Sequence, residues 1–558
     1  MVAYEEKSAR LLAYTRSASP GDYPEGLAYS VHLAYSMDGE RYFALHGNYG
    51  ILFAEAEISG EDTIVPQYVE NPRILILATG NYGILADRAG EEGHALLWRT
   101  VDFKEFQPAL LMEKSGEQWE ALWAQAKDVP QESHIVEGEA VMGSSMEISR
   151  SFCDRIVQSW SQVHNTEIRL PDTIRVHGPE ELAAVQAQAV YSDGSTDMKT
   201  VAWDMEGIDF GTPGIYSVTG RVCSRKFAFP LLKGRGDPVI FPWEGKWYFL
   251  ATNDNQNDIG IYVREADSVE GLFEPGTQDH LLLDVDEEKG FIQTFWAPEF
   301  HVIGGELYIL FAVGGKVWGP QCHLMRLKKD GRIVERDSWE EPVKVVRRDG
   351  TPLTTDGITL DMTYLRAGGT SYMAWSYRRG IGTPKDTGSM LYIARVEEDA
   401  PWRLAGEPVL LSRPLYGWEN VSGTINNEGP HGFVKSGKVY MTYSGGAANS
   451  YTYVLGLLTA DEDADLTAVE SWRKSIVPVL SFYSVKGEYG PGHNSFFVDE
   501  DGKLMIAYHA ETELSSTLRC DGIRRVHFDV DGEPVFDLSA ERDLNPALCE
   551  VSAKIEVE

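Results

Sequence analysis

Three carboxylates in the C-terminal half of this 558-residue chain stand where acid–base chemistry could be done. Asp237 lies in Gly-Asp-Pro-Val-Ile, where Pro238 is expected to hold it in an extended backbone. Asp361, in Ile-Thr-Leu-Asp-Met-Thr-Tyr, is an acid inside an apolar, strand-like run, and burying it there is costly unless it is partnered. Glu428, in Ile-Asn-Asn-Glu-Gly-Pro-His, precedes a Gly-Pro pair read as a tight turn that lets backbone approach a ligand. An anion such as Asp361 beside Glu428 would raise its pKa toward that of a working acid. A carboxylate that activates water and a carboxylic acid about 6.5–9.5 Å away that protonates a leaving oxygen are what inverting hydrolysis of a glycosidic bond needs.

Groups so far apart in sequence need a scaffold that brings them together, and a repeat supplies one. Five glycines are each followed by a short aromatic and apolar run: Gly245-KWYFLAT, Gly305-ELYILFA, Gly369-TSYMAWS, Gly437-KVYMTYS and Gly502-KLMIAYH, with spacings of 60 to 68 residues. Such runs are strand chemistry, and their period predicts a five-bladed β-propeller over 230–545. Six to nine residues before each glycine stand Asp237, Glu299, Asp361, Glu428 and His493, so an ionisable group recurs at nearly one position. At the start of five innermost strands, these groups would ring the mouth of the central channel. Trp296 and Trp418 are candidates for stacking on a sugar ring, and Asn253, Asp254, Glu299 and Arg525 for binding its hydroxyls.

The rest of the chain reads as all-β apart from one helix. Residues 166–225 alternate in short strands with Asp-Gly and Pro-Gly turns, resembling a bacterial immunoglobulin-like β-sandwich. Residues 144–165 are a predicted connector helix, with Ile148, Phe152, Ile156 and Trp160 on one face. Residues 1–143 are predicted to be a β-rich, blade-like accessory domain. With 50 Lys and Arg against 85 Asp and Glu, the net charge of −35 repels nucleic acid and anionic membranes. The five cysteines form no CxxC pair and read as reduced, mostly structural thiols. The first sixteen residues contain no signal-like apolar core, which gives the expectation of a cytoplasmic protein; a homo-oligomer is left open.

From about 230 to 540 the chain resembles the family 43 glycoside hydrolases, inverting enzymes on a five-bladed propeller. Besides the three carboxylates in order, Trp296-Ala297-Pro298-Glu299 and Gly490-Pro491-Gly492-His493-Asn494-Ser495 match the family's segments, while Met362 stands where many members have proline. The resemblance implies Asp237 as general base, Glu428 as general acid and Asp361 as the carboxylate that tunes and orients the acid. It also implies a calcium ion in the channel facing His493. The expected activity is exo-acting release of α-L-arabinofuranosyl units from plant-polysaccharide oligosaccharides. Alternatives are β-D-xylosyl, other pentosyl or galactofuranosyl release, and a non-catalytic sugar-binding propeller. A retaining fructan-active relative would show Arg-Asp-Pro and Glu-Cys segments, and neither stands at Asp361 or Glu428.

Overall fold

The computed structural model describes residues 8–558 other than 20, 317 and 424, so the first seven residues used for the cytoplasmic expectation lie outside it. The chain divides into two compact units. One comprises Met1–Ser161, Phe229–Phe497 and Ala507–Gly522; the other Gln162–Ala228, Val498–Ile506 and Ile523–Glu558.

Five sheets of antiparallel meander order form the propeller, and each glycine-led run is the second strand of its blade. The innermost strands are Gly236–Trp243, Gln293–Ile303, Gly357–Ala367, Asn427–Lys435 and Tyr489–Val498. The first four blades have four strands and the fifth has three. In blades 1 to 4 the inner strand turns into the second through two residues that both have positive φ: Glu244–Gly245, Gly304–Gly305, Gly368–Gly369 and Ser436–Gly437. That is the two-residue hairpin turn whose twist matches the strands, and it requires glycine or a residue tolerant of the left-handed region. The turns explain why glycine marks the repeat.

Neighbouring blades share apolar cores. Blades 1 and 2 bury Leu250, Ile261, Phe295 and Phe311 between them; blades 2 and 3 bury Leu310, Leu324, Met362 and Trp375. The core of blades 3 and 4 extends into the N-terminal region, where Tyr23, Leu27, Ala28, Tyr49 and Phe53 join Leu391, Met441, Tyr443 and Phe482. The accessory domain and the blades are therefore one packed body.

Within that N-terminal region, Val69–Ile76, Tyr82–Arg88, His94–Thr100 and Leu110–Glu113 form a four-stranded antiparallel sheet. A helix at Gly116–Ala126, absent from the sequence reading, packs Trp119, Leu122 and Ala126 with residues of that sheet. The run DGERYFALHGNYGILFAEAE differs from a blade. It gives the strand Phe43–Ala44, a tight turn at His46–Asn48, where His46, Gly47 and Asn48 all have positive φ and break the extended backbone, and at its end the first residue of the short strand Glu57–Ile58. The expected connector helix is shorter than 144–165: residues 144–149 finish the strand Glu139–Ser149, and the Ser149 hydroxyl caps the helix Arg150–Trp160 by accepting from the Phe152 N–H. Its apolar face packs into the N-terminal domain's own core.

The second unit holds a six-stranded sheet that includes Gln186–Tyr191, Thr196–Asp204 and Gly214–Cys223. Glu550–Val557, from the far end of the chain, pairs antiparallel with Gly214–Arg221 and parallel with Ile174–Val176. The immunoglobulin-like module is thus completed by the C-terminal strand.

Leu27→Ala, which hollows the core shared by the N-terminal domain and blades 3 and 4, is expected to cost about 2–5 kcal/mol. Urea unfolding measures this as a lower midpoint; an unchanged midpoint would mean that residues 8–56 fold apart from the blades.

Candidate active site

Every innermost strand has a residue at positive φ near the middle of the repeat, Asp237 (59°), Ala297 (45°), Asp361 (53°), Gly429 (56°) and His493 (41°), and two of the strands have a second, Thr294 and Gly490. In blades 1 to 4 the pairing register slips at that point, as a β-bulge requires. The bulge turns a side chain out of the strand's alternation, which is how a residue in a buried strand comes to face the channel. Two expectations are corrected here. Asp237 is not extended, because the bulge between Gly236 and Val239 places it in the left-handed region. Gly429-Pro430 is not a turn but the bulge inside the strand Asn427–Lys435, where a Cβ on Gly429 would lie 2.9 Å from the His493 ring.

Asp237, Asp361, Glu428 and His493 line one cavity of about 720 Å3, together with Asp254, Asp258, Trp296, Arg378, Tyr453 and Arg519. Asp237 sits in a nest of donors. Arg519 Nη1 donates at 3.0 Å, the Thr252 hydroxyl at 2.5 Å, and His493 Nδ1 lies 3.1 Å away. Burial alone would raise its carboxyl, but Arg519, His493 and the Thr252 hydroxyl outweigh that and hold it well below the usual range. His509 accepts the Asp237 backbone N–H at Nδ1; burial and Arg519 push it down to about 3, so it is a neutral support. The same Arg519 donates to Asp254 at 2.5 and 3.0 Å.

Across the cavity, Glu428 accepts from the Tyr453 hydroxyl at 3.0 Å and the Ser389 hydroxyl at 3.3 Å. Burial and, next, the Asp361 charge push its carboxyl up to about 7. Asp361 accepts from the Gly429 N–H at 3.1 Å and the Ser376 hydroxyl at 3.0 Å. Burial raises Asp361 too, while His493 favours its ionised form. His493 itself is raised: its burial is outweighed by the carboxylates of Asp237, Asp361, Glu299 and Glu428. Two carboxyl groups with opposed environments, one held ionised and one held protonated, are the arrangement that separates a base from an acid in one site.

Trp296 lines the cavity, its indole N–H donating to Asp258 at 2.9 Å, and Asp254 lines it as well. Four other candidates lie elsewhere. Asn253, next to Asp254, is buried, and its Oδ1 has no partner among the described residues. Trp418 is fully buried in the core of blades 3 and 4 between Tyr416 and Tyr443, its N–H on the Ile476 carbonyl. Its aromatic neighbours make it a core residue. Arg525 is held in the second unit by Asp543 and Tyr191, a buried cluster that includes Lys199. Glu299 stands two residues past the blade 2 bulge at Ala297, so it lies off the pocket wall and bonds His301 at 2.7 Å. The sequence reading missed Arg519, Asp258, Tyr453 and Arg378, because they lie on second or third strands or in loops, outside the repeated inner-strand position.

The donors in the channel do not suit calcium. His493 Nδ1 is engaged by Asp237, and the metal-compatible cluster nearby is Glu299, His301 and His431, whose ligand atoms lie within 4.8 Å of one another. One carboxylate with imidazoles is a nitrogen-rich set, whereas calcium takes six to eight oxygens.

Residues 230–534, more than half of the chain, match the model of the glycosyl hydrolases family 43. The chain belongs to family 43. Within this family 43 chain, residues 186–224 also match a bacterial Ig-like domain (group 4). An extracellular exo-α-(1→5)-L-arabinofuranosidase of Streptomyces avermitilis is 32% identical over 351 residues, covering 61% of this chain and 69% of that one. The α-L-arabinofuranosidase B of Pyricularia oryzae is 31% identical, covering 58% and 65%. An extracellular exo-α-(1→5)-L-arabinofuranosidase of Streptomyces chartreusis is 31% identical, covering 50% and 81%. A crystal structure of an α-L-arabinofuranosidase from Lactobacillus brevis is 29% identical over 55% of this chain and 95% of that one, with a TM-score of 0.48.

Removing the Asp361 charge as Asp361→Asn should lower the Glu428 pKa from about 7 toward the ordinary carboxyl range. Carboxyl-selective 13C NMR titration reads this directly; an unmoved midpoint would show that burial alone sets it.

Proposed function

We infer that this family 43 chain is an inverting, exo-acting glycoside hydrolase that releases α-L-arabinofuranosyl units from plant-polysaccharide oligosaccharides. The observation that carries the reading is the single pocket in which Asp237 is held ionised and Glu428 is held protonated. The sugar comes from the named arabinofuranosidases at 31–32% identity, which favours it over the xylosyl and galactofuranosyl alternatives, and exo action comes from the two of them named exo. A non-catalytic propeller has no need of two carboxyl groups in opposed environments. The cytoplasmic expectation is corrected: the two Streptomyces relatives are named extracellular. That expectation rested on the first residues alone, which need not record a protein's destination.

In this reading Asp237 is the general base. Its carboxylate orients water and accepts the proton as the new C–O bond forms at the anomeric carbon. Three donors make it a weak base, which suits attack on an oxocarbenium-like centre where proton transfer comes late. Glu428 is the general acid, giving its proton to the leaving oxygen while Tyr453 and Ser389 fix its carboxyl. Asp361 is the positioning carboxylate. It grips the Gly429 N–H next to the acid and keeps the Glu428 proton in place by repulsion. Trp296, steadied by Asp258, offers an indole face to the sugar.

Because the active form has Glu428 protonated, activity should fall as pH rises through about 7, while the acid limb lies below the ordinary carboxylate range. A profile flat from pH 4 to 9 would contradict this assignment. Proton NMR of the anomeric signals during cleavage of an aryl α-L-arabinofuranoside should show the inverted anomer first, with turnover abolished in Asp237→Ala; cleavage of only the aryl β-D-xyloside would replace the sugar. Glu428→Ala should harm substrates with poor leaving groups far more than activated aryl glycosides, and equal losses would remove Glu428 from the acid role.

A further inference from the structure

A short hairpin of the N-terminal domain, Glu57–Ile58 paired with Ile64–Val65, carries Asp62 at its turn. Asp62 sits at a φ of 69°, fixed by its N–H on the Ser59 carbonyl. Its carboxylate accepts from two arginines of blade 3: Arg379 Nη2 at 3.0 Å and Arg413 Nη1 at 2.6 Å. Arg413 also donates to the Asp62 carbonyl at 2.8 Å. Arg413 is largely buried, with 9% of its side chain exposed, so this contact is more than a surface ion pair. Glu61 lies 3.6 Å from Lys385, a second contact between the hairpin and the same loop.

What the hairpin holds is the loop 379–388, and that loop borders the active site. Arg378 pairs with Asp386 across the loop at 2.7 and 2.8 Å and donates to Asn426, two residues before the acid Glu428. Ile381, at the loop's exposed tip, lines the active-site cavity. A second groove of about 510 Å3 shares Ile358, Arg378 and Ile381 with that cavity and runs past Trp318 and Arg379. In an inverting site the leaving group departs on the side of the acid, opposite the base. The groove runs along blades 2 and 3; neither Asp237 nor Arg519 lines it, and Arg378, which it shares with the pocket, reaches toward the acid through Asn426.

We propose that Asp62 is a specificity-determining positioning residue, holding the 379–388 loop as the wall between the pocket and a groove that receives the leaving oligosaccharide. This rests on the arabinofuranosidase reading above. The single sugar to be cleaved is bound by the propeller alone, whereas the chain it is cut from is bound on a surface whose shape the N-terminal domain fixes. Substrates with a long leaving group therefore depend on Asp62, and substrates with a small aromatic leaving group do not.

Asp62→Asn keeps shape and tolerance of the left-handed backbone while removing the charge, and Asp62→Gly keeps the turn while removing the side chain. Both variants and the unsubstituted full chain are compared on an α-1,5-linked arabinotriose and an aryl α-L-arabinofuranoside, with amide hydrogen exchange of 379–388 measured by mass spectrometry. The expected result is a KM for arabinotriose raised about tenfold, more in Gly than in Asn, with kcat on the aryl substrate within about twofold of the unsubstituted chain and faster exchange in the loop. Equal losses on both substrates, no change on either, or unchanged exchange overturns the proposal. If the unsubstituted chain cleaves neither substrate, the arabinofuranosidase reading falls instead, and the exchange rates alone then decide whether Asp62 pins the loop.

Discussion

The site depends on a backbone irregularity repeated around the propeller. A regular strand packed between neighbours alternates its side chains between two sheet faces and offers nothing along the channel. Positive-φ residues in each inner strand break that alternation. Aspartate tolerates the left-handed region better than most residues, and glycine tolerates it freely, so Asp237, Asp361 and Gly429 occupy it at modest cost. His493 is of a type that also tolerates it, whereas Ala297 is less suited and is held there by the surrounding blades. The same device explains why Glu428, rather than the residue at the bulge, supplies the carboxyl in blade 4. Gly429 must be small to pass the His493 ring, so the side chain comes from its neighbour.

Bringing the blades together buries charges that would be prohibitive singly. Asp237 is compensated by Arg519, a histidine and a hydroxyl, and Arg519 in turn holds Asp254. For Glu428, burial and the facing Asp361 outweigh His493 and Arg378, so it keeps its proton. The distribution of compensation, more than the identity of the acids, sets which carboxyl is held ionised and which keeps its proton. Both groups are buried, and burial alone would push both upward; the partners decide the difference.

The N-terminal domain belongs to the same physical object. Its aromatic and aliphatic residues continue the core of blades 3 and 4, and its short hairpin ends on the arginines that hold a loop at the pocket's edge. Local sequence cannot show this. Tyr23, Leu27, Tyr49 and Phe53 read as ordinary core residues of their own region, and nothing in their spacing names blades some 350 residues further on as the surface they cover.

The five glycine-led runs were legible because each hairpin turn needs positive φ and each second strand is apolar, two local demands that the sequence must write down in every copy. The three carboxylates were legible for the same reason, as they recur at one place in the repeat. Glu299 shows the limit of that logic: an acid near the repeated position lies off the pocket wall when the bulge falls two residues earlier, at Ala297. Trp418 and Arg525 show another, since an indole in a loop or an arginine in a strand can serve a core or a buried ion cluster as readily as a sugar. The sequence by itself determined the propeller, its blade count and the acids at its mouth, because those follow from periodic local rules. Only the tertiary structure decided the protonation states, the arginine that sets them, the strand that completes the immunoglobulin-like module and the hairpin at the pocket's edge, because each depends on contacts between residues whose separation along the chain carries no signal.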